Sequence, residues 1–192
     1  MPPDEIHLVA PEATLETPRL LLEPLLPAHA PVLFEQLQDE RLYQYIPQDP
    51  LAGTALQDRY EALSSRRSPD GREAWLNWAV RERRSGDYAG TLETTVYKNL
   101  TAEVAYMVFV PYQRRGLAAE ACGRLLAHLF EDYQVSVVAA EIDTRNAASI
   151  ALVESLGFER VGFQKDADQF KGSSSDEYRY EIKESAWKRQ RS

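Results

Sequence analysis

Residues 110–130 constrain the fold of this chain more than any other stretch, because their spacing changes from strand-like to helix-like within a few positions. The segment reads VPYQRRGLAAEACGRLLAHLF, and the change falls at Arg114, Arg115 and Gly116. Beyond it, apolar residues recur every three or four positions, which predicts an amphipathic helix. These residues are Ala118, Ala121, Cys122, Leu125, Leu126, Leu129 and Tyr133. The sequence therefore predicts a tight corner between a strand and a helix.

The corner has the chemistry of an anion site. The first N–H groups of a helix lack internal partners, and the helix dipole adds about half a positive charge there. Gly116 allows close approach, Ala118 leaves the helix start unobstructed, and the two arginines add donors suited to phosphate. The alternative is an ordinary turn with solvated arginines. A phosphate-binding P-loop and a dinucleotide fingerprint are both excluded, because Gly116 stands alone.

Composition limits the function further. The 192 residues suffice for one domain with a core of its own. A single cysteine and three scattered histidines offer neither an internal disulfide nor a metal-ligand cluster. A formal net charge of −8 argues against nucleic-acid binding and suits a cationic partner better.

Targeting signals are absent from the sequence pattern. No apolar run approaches the roughly 20 residues that span a bilayer, and the start MPPDEIHLVAPE lacks the blocks of a signal peptide. We therefore expect a cytoplasmic protein with no membrane partner. The sequence leaves open whether it is a monomer or a homodimer.

Two-residue alternation begins at residue 73 and predicts an antiparallel meander of three strands. The strands read AWLNWAVRE, YAGTLETTVY and AEVAYMVFV. Before them, we predict a short strand over 19–25, a helix over 27–39 and another helix in GTALQDRYEALSSRR. Residues 40–72 show the weakest pattern, and they hold either substrate recognition or a plain surface helix.

The segments after residue 133 complete a sheet. VSVVAAEID predicts a buried strand, and NAASIALVESLGF predicts a helix that Asn146 caps and Gly157 ends. ERVGF and DEYRYEI predict a final strand pair, with QKDADQFKGSSS as a polar loop between them. The basic end KESAWKRQRS is either helical or frayed.

QRRGLA, at 113–118, resembles the Gln/Arg-x-x-Gly-x-Gly/Ala signature of the GNAT superfamily of N-acetyltransferases. With TPRLLLEPL before it and NAASIALVESLGFERVG after it, the chain resembles the ribosomal-protein N-terminal acetyltransferase branch. The resemblance implies an α+β fold in one domain, whose mixed, mostly antiparallel twisted sheet is flanked by helices and splayed between the fourth and fifth strands. It places the domain at 17–187, an N-terminal extension at 1–16 and a basic tail at 188–192.

The resemblance also implies acetyl-coenzyme A as the donor. Backbone N–H groups of 114–118 would hold its pyrophosphate, and the pantetheine arm would follow 107–110. The implied cofactor-binding residues are Met107, Val108, Phe109, Val110, Gln113, Arg114, Arg115, Gly116, Leu117, Ala118, Asn146 and Ser149. No metal is expected.

Acetyl transfer from a thioester needs a neutral amine, an oxyanion donor and a proton for the thiolate. By resemblance, Glu103 is the first candidate for the base and Glu93 the second, and an N–H near Val108 is the oxyanion donor. Many family members use a tyrosine as the acid where this chain has Val153. Ser149 is the substitute that the branch suggests, although it equally suits a capping bond with Asn146.

The predicted function is direct acetyl transfer to a primary amine, either a protein N-terminus or a small molecule such as an aminoglycoside, a polyamine or an amino acid. Ala105 and Met107 depart from the residues common in the branch. The sequence therefore does not decide which acceptor the pocket fits. Tyr106 either lines that pocket or packs in the core. Two other readings are a non-catalytic acyl-coenzyme A sensor and an unrelated nucleotide-binding protein.

Overall fold

The computed structural model describes residues 5–190, and an eight-stranded sheet forms its centre. The strands lie in the order β1-β2-β3-β4-β5-β6-β8-β7, and every adjacent pair is antiparallel except β5 and β6. The strands are β1 (Leu15–Glu16), β2 (Leu20–Pro24), β3 (Glu73–Glu82), β4 (Tyr88–Tyr97), β5 (Thr101–Val108), β6 (Val137–Asp143), β7 (Glu159–Phe170) and β8 (Ser173–Lys183). The mixed, mostly antiparallel sheet is confirmed.

Five α-helices flank the sheet: α1 (His29–Leu37), α2 (Gly53–Ser64), α3 (Leu117–Ala127), α4 (Ala147–Ser155) and α5 (Glu184–Gln190). Short 3-10 turns occupy Glu40–Tyr43 and Val110–Tyr112, and a turn of π-helix, His128–Asp132, extends α3. Within residues 5–190, no helix has the length and apolar content needed to cross a bilayer.

The predicted amphipathic helix is α3, and its apolar face lies in the main core. Leu117, Ala121, Leu125 and Leu126 are almost completely buried there. On the sheet, alternation turns Leu76, Trp78 and Leu92 toward the same core. The opposite face of the sheet therefore carries the alternate residues of β3, β4 and β5, and α1 and α2 pack on that side.

The sheet opens between β5 and β6, which are the fourth and fifth predicted strands once the short β1 is set aside. The two strands pair only from Thr101–Val137 to Glu103–Ala139. Beyond that point β5 follows β4 as far as the Gly90–Val108 pair, while β6 follows β8 to Asp143–Glu177. Each strand stays with its antiparallel neighbour, and sheet twist carries the two apart. The predicted splay is confirmed, and we call it the gap.

The predicted polar loop QKDADQFKGSSS is wrong, because most of it is strand. β7 runs to Phe170 and β8 begins at Ser173, so the turn between them is Lys171 and Gly172. Both turn residues have positive φ, +51° and +78°, as a two-residue type I′ hairpin requires. Polar residues occupy both faces of this part of the hairpin, so the sequence lacks the alternation that identifies a strand.

The two chain ends are only partly described. Of the predicted extension (1–16) and tail (188–192), residues 1–4 and 191–192 lie outside the described range. The rest of the basic end is helical in α5, which buries Trp187 against Phe130, with ring centroids 5.3 Å apart. The sequence left this segment as either helical or frayed, and the structure shows a helix up to Gln190.

Candidate active site

The strand-to-helix corner has a left-handed backbone and an open helix start. Gly116 is the N-cap of α3 at φ +73°, and Arg114 also has a positive φ, +58°. No side chain caps this helix, and Glu120 is the first residue whose N–H bonds back, to the Gly116 carbonyl at 3.2 Å. The amides that precede Glu120 in the helix are therefore available to an anion.

The arginines at the corner have different surroundings. The Arg114 side chain is exposed, whereas the Arg115 guanidinium pairs with Glu82 and lies 5.4 Å from the Tyr112 ring centroid. In this arrangement Arg115 offers its backbone N–H to the corner rather than its guanidinium. A further arginine that the motif did not flag, Arg19, donates to the Arg115 carbonyl at 2.9 Å.

Glu120 adds a carboxylate to the first turn of α3, and its charge is compensated. Arg19 forms an ion pair with it, and Thr17 Oγ1 donates to Glu120 Oε1 at 2.6 Å. Burial raises the pKa of Glu120, but the hydrogen bonds from Thr17 and Arg19 outweigh burial and hold that pKa below its usual value. Glu120 is therefore ionised, and its ion pair with Arg19 offsets the negative charge that it brings to the helix start.

The end of β5 presents Val108 to the gap. A side chain at Gly90 would collide with the Met107 carbonyl oxygen, which therefore faces β4. Because backbone groups alternate along a strand, the N–H and C=O of Val108 face the gap. Its carbonyl accepts from Gln113 Nε2 at 3.0 Å. Phe109 is fully buried and its N–H donates to Ala89 at 2.9 Å, so it offers no polar group to a ligand.

The start of α4 lies on the other side of the gap. Asn146 Oδ1 accepts from the Ser149 N–H at 3.1 Å, which confirms the predicted cap. Ser149 Oγ lies 2.7 Å from the Tyr106 hydroxyl oxygen, so Tyr106 and Ser149 are in direct contact. Val153 is buried in the core, where a tyrosine acid would stand in many relatives. Gly157 ends the helix at φ +89°, as predicted.

A cleft of about 510 Å³ opens beside the gap, on the face of the sheet that α2 partly covers. Its lining includes three carboxylates, Glu93 from β4, Glu103 from β5 and Glu141 from β6. We call this the acidic cleft. The sequence singled out Glu103 and Glu93 but missed Glu141, which is the exposed position in an otherwise mostly buried strand.

Two arginines compensate part of this charge. Arg59 Nη2 lies 3.0 Å from Glu93 Oε2, and Arg179 Nη1 lies 3.0 Å from Glu141 Oε1 and 3.5 Å from Glu103 Oε1. Arg179 also pairs with Glu181 at 3.0 Å. One guanidinium is thus shared by three carboxylates, which leaves an excess of negative charge. Sequence spacing could not identify Arg179, because its partners come from three different strands.

Two groups near these carboxylates have raised pKa values, chiefly through burial and further through the negative charge around them. Burial raises the pKa of Glu177, and the nearby carboxylates of Glu141, Asp168 and Asp143 raise it further. Burial and a hydrogen bond to Glu103 raise the pKa of Tyr97 to about 12. The Tyr97 hydroxyl, 2.9 Å from Glu103 Oε2, therefore remains a donor to that carboxylate at neutral pH.

Comparison with known proteins identifies the family of this chain. The family profile described as an acetyltransferase (GNAT) domain matches residues 19–159, so the chain belongs to the GNAT family of acetyltransferases. It is an N-acetyltransferase, an enzyme that transfers an acetyl group to an amine. Among residues 5–190, no group of three or more histidine, cysteine, aspartate or glutamate side chains is placed to hold a metal ion.

One curated relative and two solved structures are similar to this chain. An uncharacterized N-acetyltransferase, p20 of Bacillus licheniformis, is 25% identical over 171 residues, which are 88% of this chain and 95% of its own. RimL, a ribosomal-protein alpha-N acetyltransferase solved with coenzyme A, is 18% identical with a TM-score of 0.78, covering 89% of this chain and 98% of RimL. Spermidine N-acetyltransferase from Vibrio cholerae, solved with coenzyme A and spermine, is 18% identical with a TM-score of 0.76, covering 89% and 99%.

Proposed function

We propose that this enzyme transfers the acetyl group of acetyl-coenzyme A directly to a primary amine that carries further positive charge, with a polyamine as the acceptor class. The observation that carries the proposal is the excess of carboxylates in the acidic cleft beside the gap. A positively charged polyamine bound in the cleft would be attracted to Glu93, Glu103 and Glu141 and would offset part of their mutual repulsion. The V. cholerae relative, solved with spermine, supports the same class.

Coenzyme A fits the corner and the gap. The open N–H groups at the start of α3 would bind its diphosphate, with backbone contributions from Arg114 to Ala118. The N–H of Val108 would pair with the pantetheine arm or with the thioester oxygen, where it serves as an oxyanion donor. When bound, acetyl-coenzyme A supplies the activated acetyl group. Coenzyme A in the structures of RimL and of the V. cholerae enzyme supports this assignment.

Glu103 is the proposed base. Its side chain is about 45% exposed and lines the acidic cleft where β5 and β6 separate. From there the carboxylate can take a proton from the ammonium, directly or through water. Tyr97 and Arg179 hold the carboxylate in place. Glu93 is the second candidate, and its ion pair with Arg59 makes it better suited to binding the cationic tail.

Ser149 is the proposed acid for the departing thiolate. Its backbone is fixed by the Asn146 cap, and its hydroxyl is directed across the gap to Tyr106. The same hydroxyl would lie next to the sulfur of a pantetheine arm running along β5. Val153 has no proton to donate, and the Ser149 hydroxyl, one helical turn earlier, is the group proposed to donate in its place.

Free-thiol release across an amine panel tests the function. We expect the kcat/KM for spermidine to exceed that for n-butylamine by about 100-fold, because spermidine carries two further charges. Glu141→Gln should lower the kcat/KM for spermidine about tenfold and leave that for n-butylamine within about twofold. Glu35→Gln, an exposed carboxylate on α1 outside the cleft lining, is the matched control.

Three results would contradict the proposal. Equal kcat/KM values for spermidine and n-butylamine would remove the role of charge. Faster transfer to a neutral peptide N-terminus than to spermidine would assign the protein-acetylating class instead. Saturable coenzyme A binding with no turnover on any amine would identify an acyl-coenzyme A sensor.

A further inference from the structure

A hydrogen bond spans the gap at the point where the thioester would lie. Tyr106 is on β5, beyond the last residue of that strand that pairs with β6. Ser149 is in the first turn of α4, which follows β6. The Tyr106 hydroxyl oxygen is 2.7 Å from Ser149 Oγ. This hydrogen bond therefore joins the two sides of the gap. One partner, Ser149, is the proposed acid, and the other, Tyr106, has no function assigned above.

The direction of this bond follows from the surroundings of the phenol. The Tyr106 hydroxyl also lies 3.4 Å from the Ser149 carbonyl oxygen, which can only accept. The phenol has one hydrogen, is a stronger donor than an aliphatic alcohol and lies much closer to the serine hydroxyl than to the carbonyl, so we assign its hydrogen to Ser149 Oγ, with the carbonyl as a weak second acceptor. Ser149 Oγ then accepts from Tyr106, and the hydroxyl hydrogen of Ser149 remains available for another partner.

Packing holds the phenol in this position. The ring of Tyr106 contacts the main core, and with Cys122 and Val153 it lines a small cavity between β5, α3 and α4. Burial raises the pKa of Tyr106, so the phenol keeps its proton over the range in which the enzyme would work. It is therefore a permanent donor rather than a group that exchanges protons during turnover.

We propose that Tyr106 is a positioning residue that orients the Ser149 hydroxyl so that its hydrogen points at the departing sulfur. In the transfer, the acetyl carbon bonds to the amine nitrogen and the C–S bond breaks, with its electron pair remaining on sulfur. The Ser149 hydroxyl donates to the thiolate as charge develops there. The nitrogen loses two protons on its way from ammonium to amide. Glu103 takes the first and releases it to solvent, and the second restores the Ser149 hydroxyl as Ser149 gives its own proton to the thiolate. The inference rests on the acetyl transfer proposed above.

A double-mutant cycle in kcat tests the role of Tyr106. Ser149→Ala should lower kcat about 100-fold, the usual contribution of a general acid. Tyr106→Phe, which keeps the ring, should lower kcat about tenfold, as expected for one lost hydrogen bond. In the double variant kcat should equal that of Ser149→Ala alone, because Tyr106 acts only through the serine. The Kd of the Tyr106→Phe variant for coenzyme A should stay within about twofold of the wild-type value.

Tyr133→Phe is the matched control. It also removes the hydroxyl of a buried tyrosine that makes one hydrogen bond, to the Val9 N–H at 3.0 Å. We expect this variant to lose stability and to keep its kcat. A change in thermal midpoint common to both Tyr→Phe variants then measures the structural effect separately from the catalytic one.

The outcomes separate this inference from the proposed function. If Ser149→Ala is impaired while Tyr106→Phe keeps its kcat, or if the two losses multiply in the double variant, Tyr106 does not act through Ser149 and the inference is overturned. If Ser149→Ala keeps its kcat, the acid role of Ser149 fails and the role of Tyr106 fails with it. If the wild-type chain transfers acetyl to no amine, the proposed function itself is wrong.

Discussion

Asp143 shows how one buried carboxylate fixes the end of β6 beside the acidic cleft. Its carboxylate accepts from Arg145 Nε at 2.9 Å and from Ser175 Oγ at 2.6 Å. The hydrogen bonds from Arg145 lower the pKa of Asp143 to about 2, because together with Ser175 they outweigh the effect of burial. The ionised form therefore stabilises the fold at neutral pH.

The contribution of Asp143 to the free energy of unfolding should decrease as the pH falls. The folded-state pKa lies below the unfolded value of about 3.9, so the contribution is complete above that value and is lost as the pH falls toward 2. We expect Asp143→Asn to lower the free energy of unfolding at pH 7 by about 2 kcal/mol. The difference from the wild type should shrink steadily below about pH 4. Urea unfolding at pH 7, 5 and 3 measures it.

Asp58→Asn provides the control for this prediction, because Asp58 is an exposed residue of α2. Surface changes of this kind stay within about 0.5 kcal/mol. A loss for Asp143→Asn that is as large at pH 3 as at pH 7 would show that its ionisation is not the source of the stability.

At the start of α3, a single substitution can test whether the backbone conformation matters for both stability and ligand binding. Gly116→Ala places a methyl group on a residue at φ +73°, which should cost about 1 kcal/mol of stability. The strained corner should also misplace the first amides of the helix. We therefore expect the Kd for coenzyme A, measured by calorimetry, to rise about tenfold.

Gly86→Ala separates the two effects. Gly86 has a similar φ, +80°, and a methyl group there would meet no atom within 4 Å. It lies in the turn between β3 and β4 rather than at the start of α3. We expect the same loss of stability with an unchanged Kd for coenzyme A, and an equal rise in Kd for both variants would contradict a specific role for the corner.

The elements also show how far sequence reasoning extends. The helix α3 and the β3–β4–β5 meander were predictable because their apolar residues repeat at the helix and strand periods, as Leu125 and Trp78 illustrate. The β7–β8 hairpin was not, because neither face of its tip is apolar. Its Lys-Gly turn was the one local signal, and Lys171 fixes that turn by donating to the Tyr43 and Ile46 carbonyls.

Some residues of the candidate site could be predicted from the sequence, and others could not. Gly116 and the Asn146 cap depend on local backbone chemistry, which a sequence shows directly. Glu141 and Arg179 acquire their role through strand register, since β6 and β8 place them directly opposite each other. Their pairing depends on contacts between segments about 40 residues apart, and only the folded structure reveals it.

For the whole molecule, the net charge of −8 and the acidic cleft predict a marked salt dependence. The range of electrostatic attraction falls from about 10 Å at 0.1 M salt to about 3 Å at 1 M. We expect the KM for spermidine to rise about tenfold between roughly 0.05 and 0.5 M sodium chloride. The KM for n-butylamine should change less than threefold over the same range. Parallel rises for both amines would contradict recognition by charge.

We propose that the amides at the start of α3 bind the diphosphate of coenzyme A. Calorimetric titration with coenzyme A and, separately, with pantetheine, which has the same thiol arm but no diphosphate, tests it most directly. We predict saturable binding of coenzyme A and affinity for pantetheine that is weaker by at least about 100-fold. Equal affinities for the two compounds, or no heat from coenzyme A at millimolar concentration, would contradict the account.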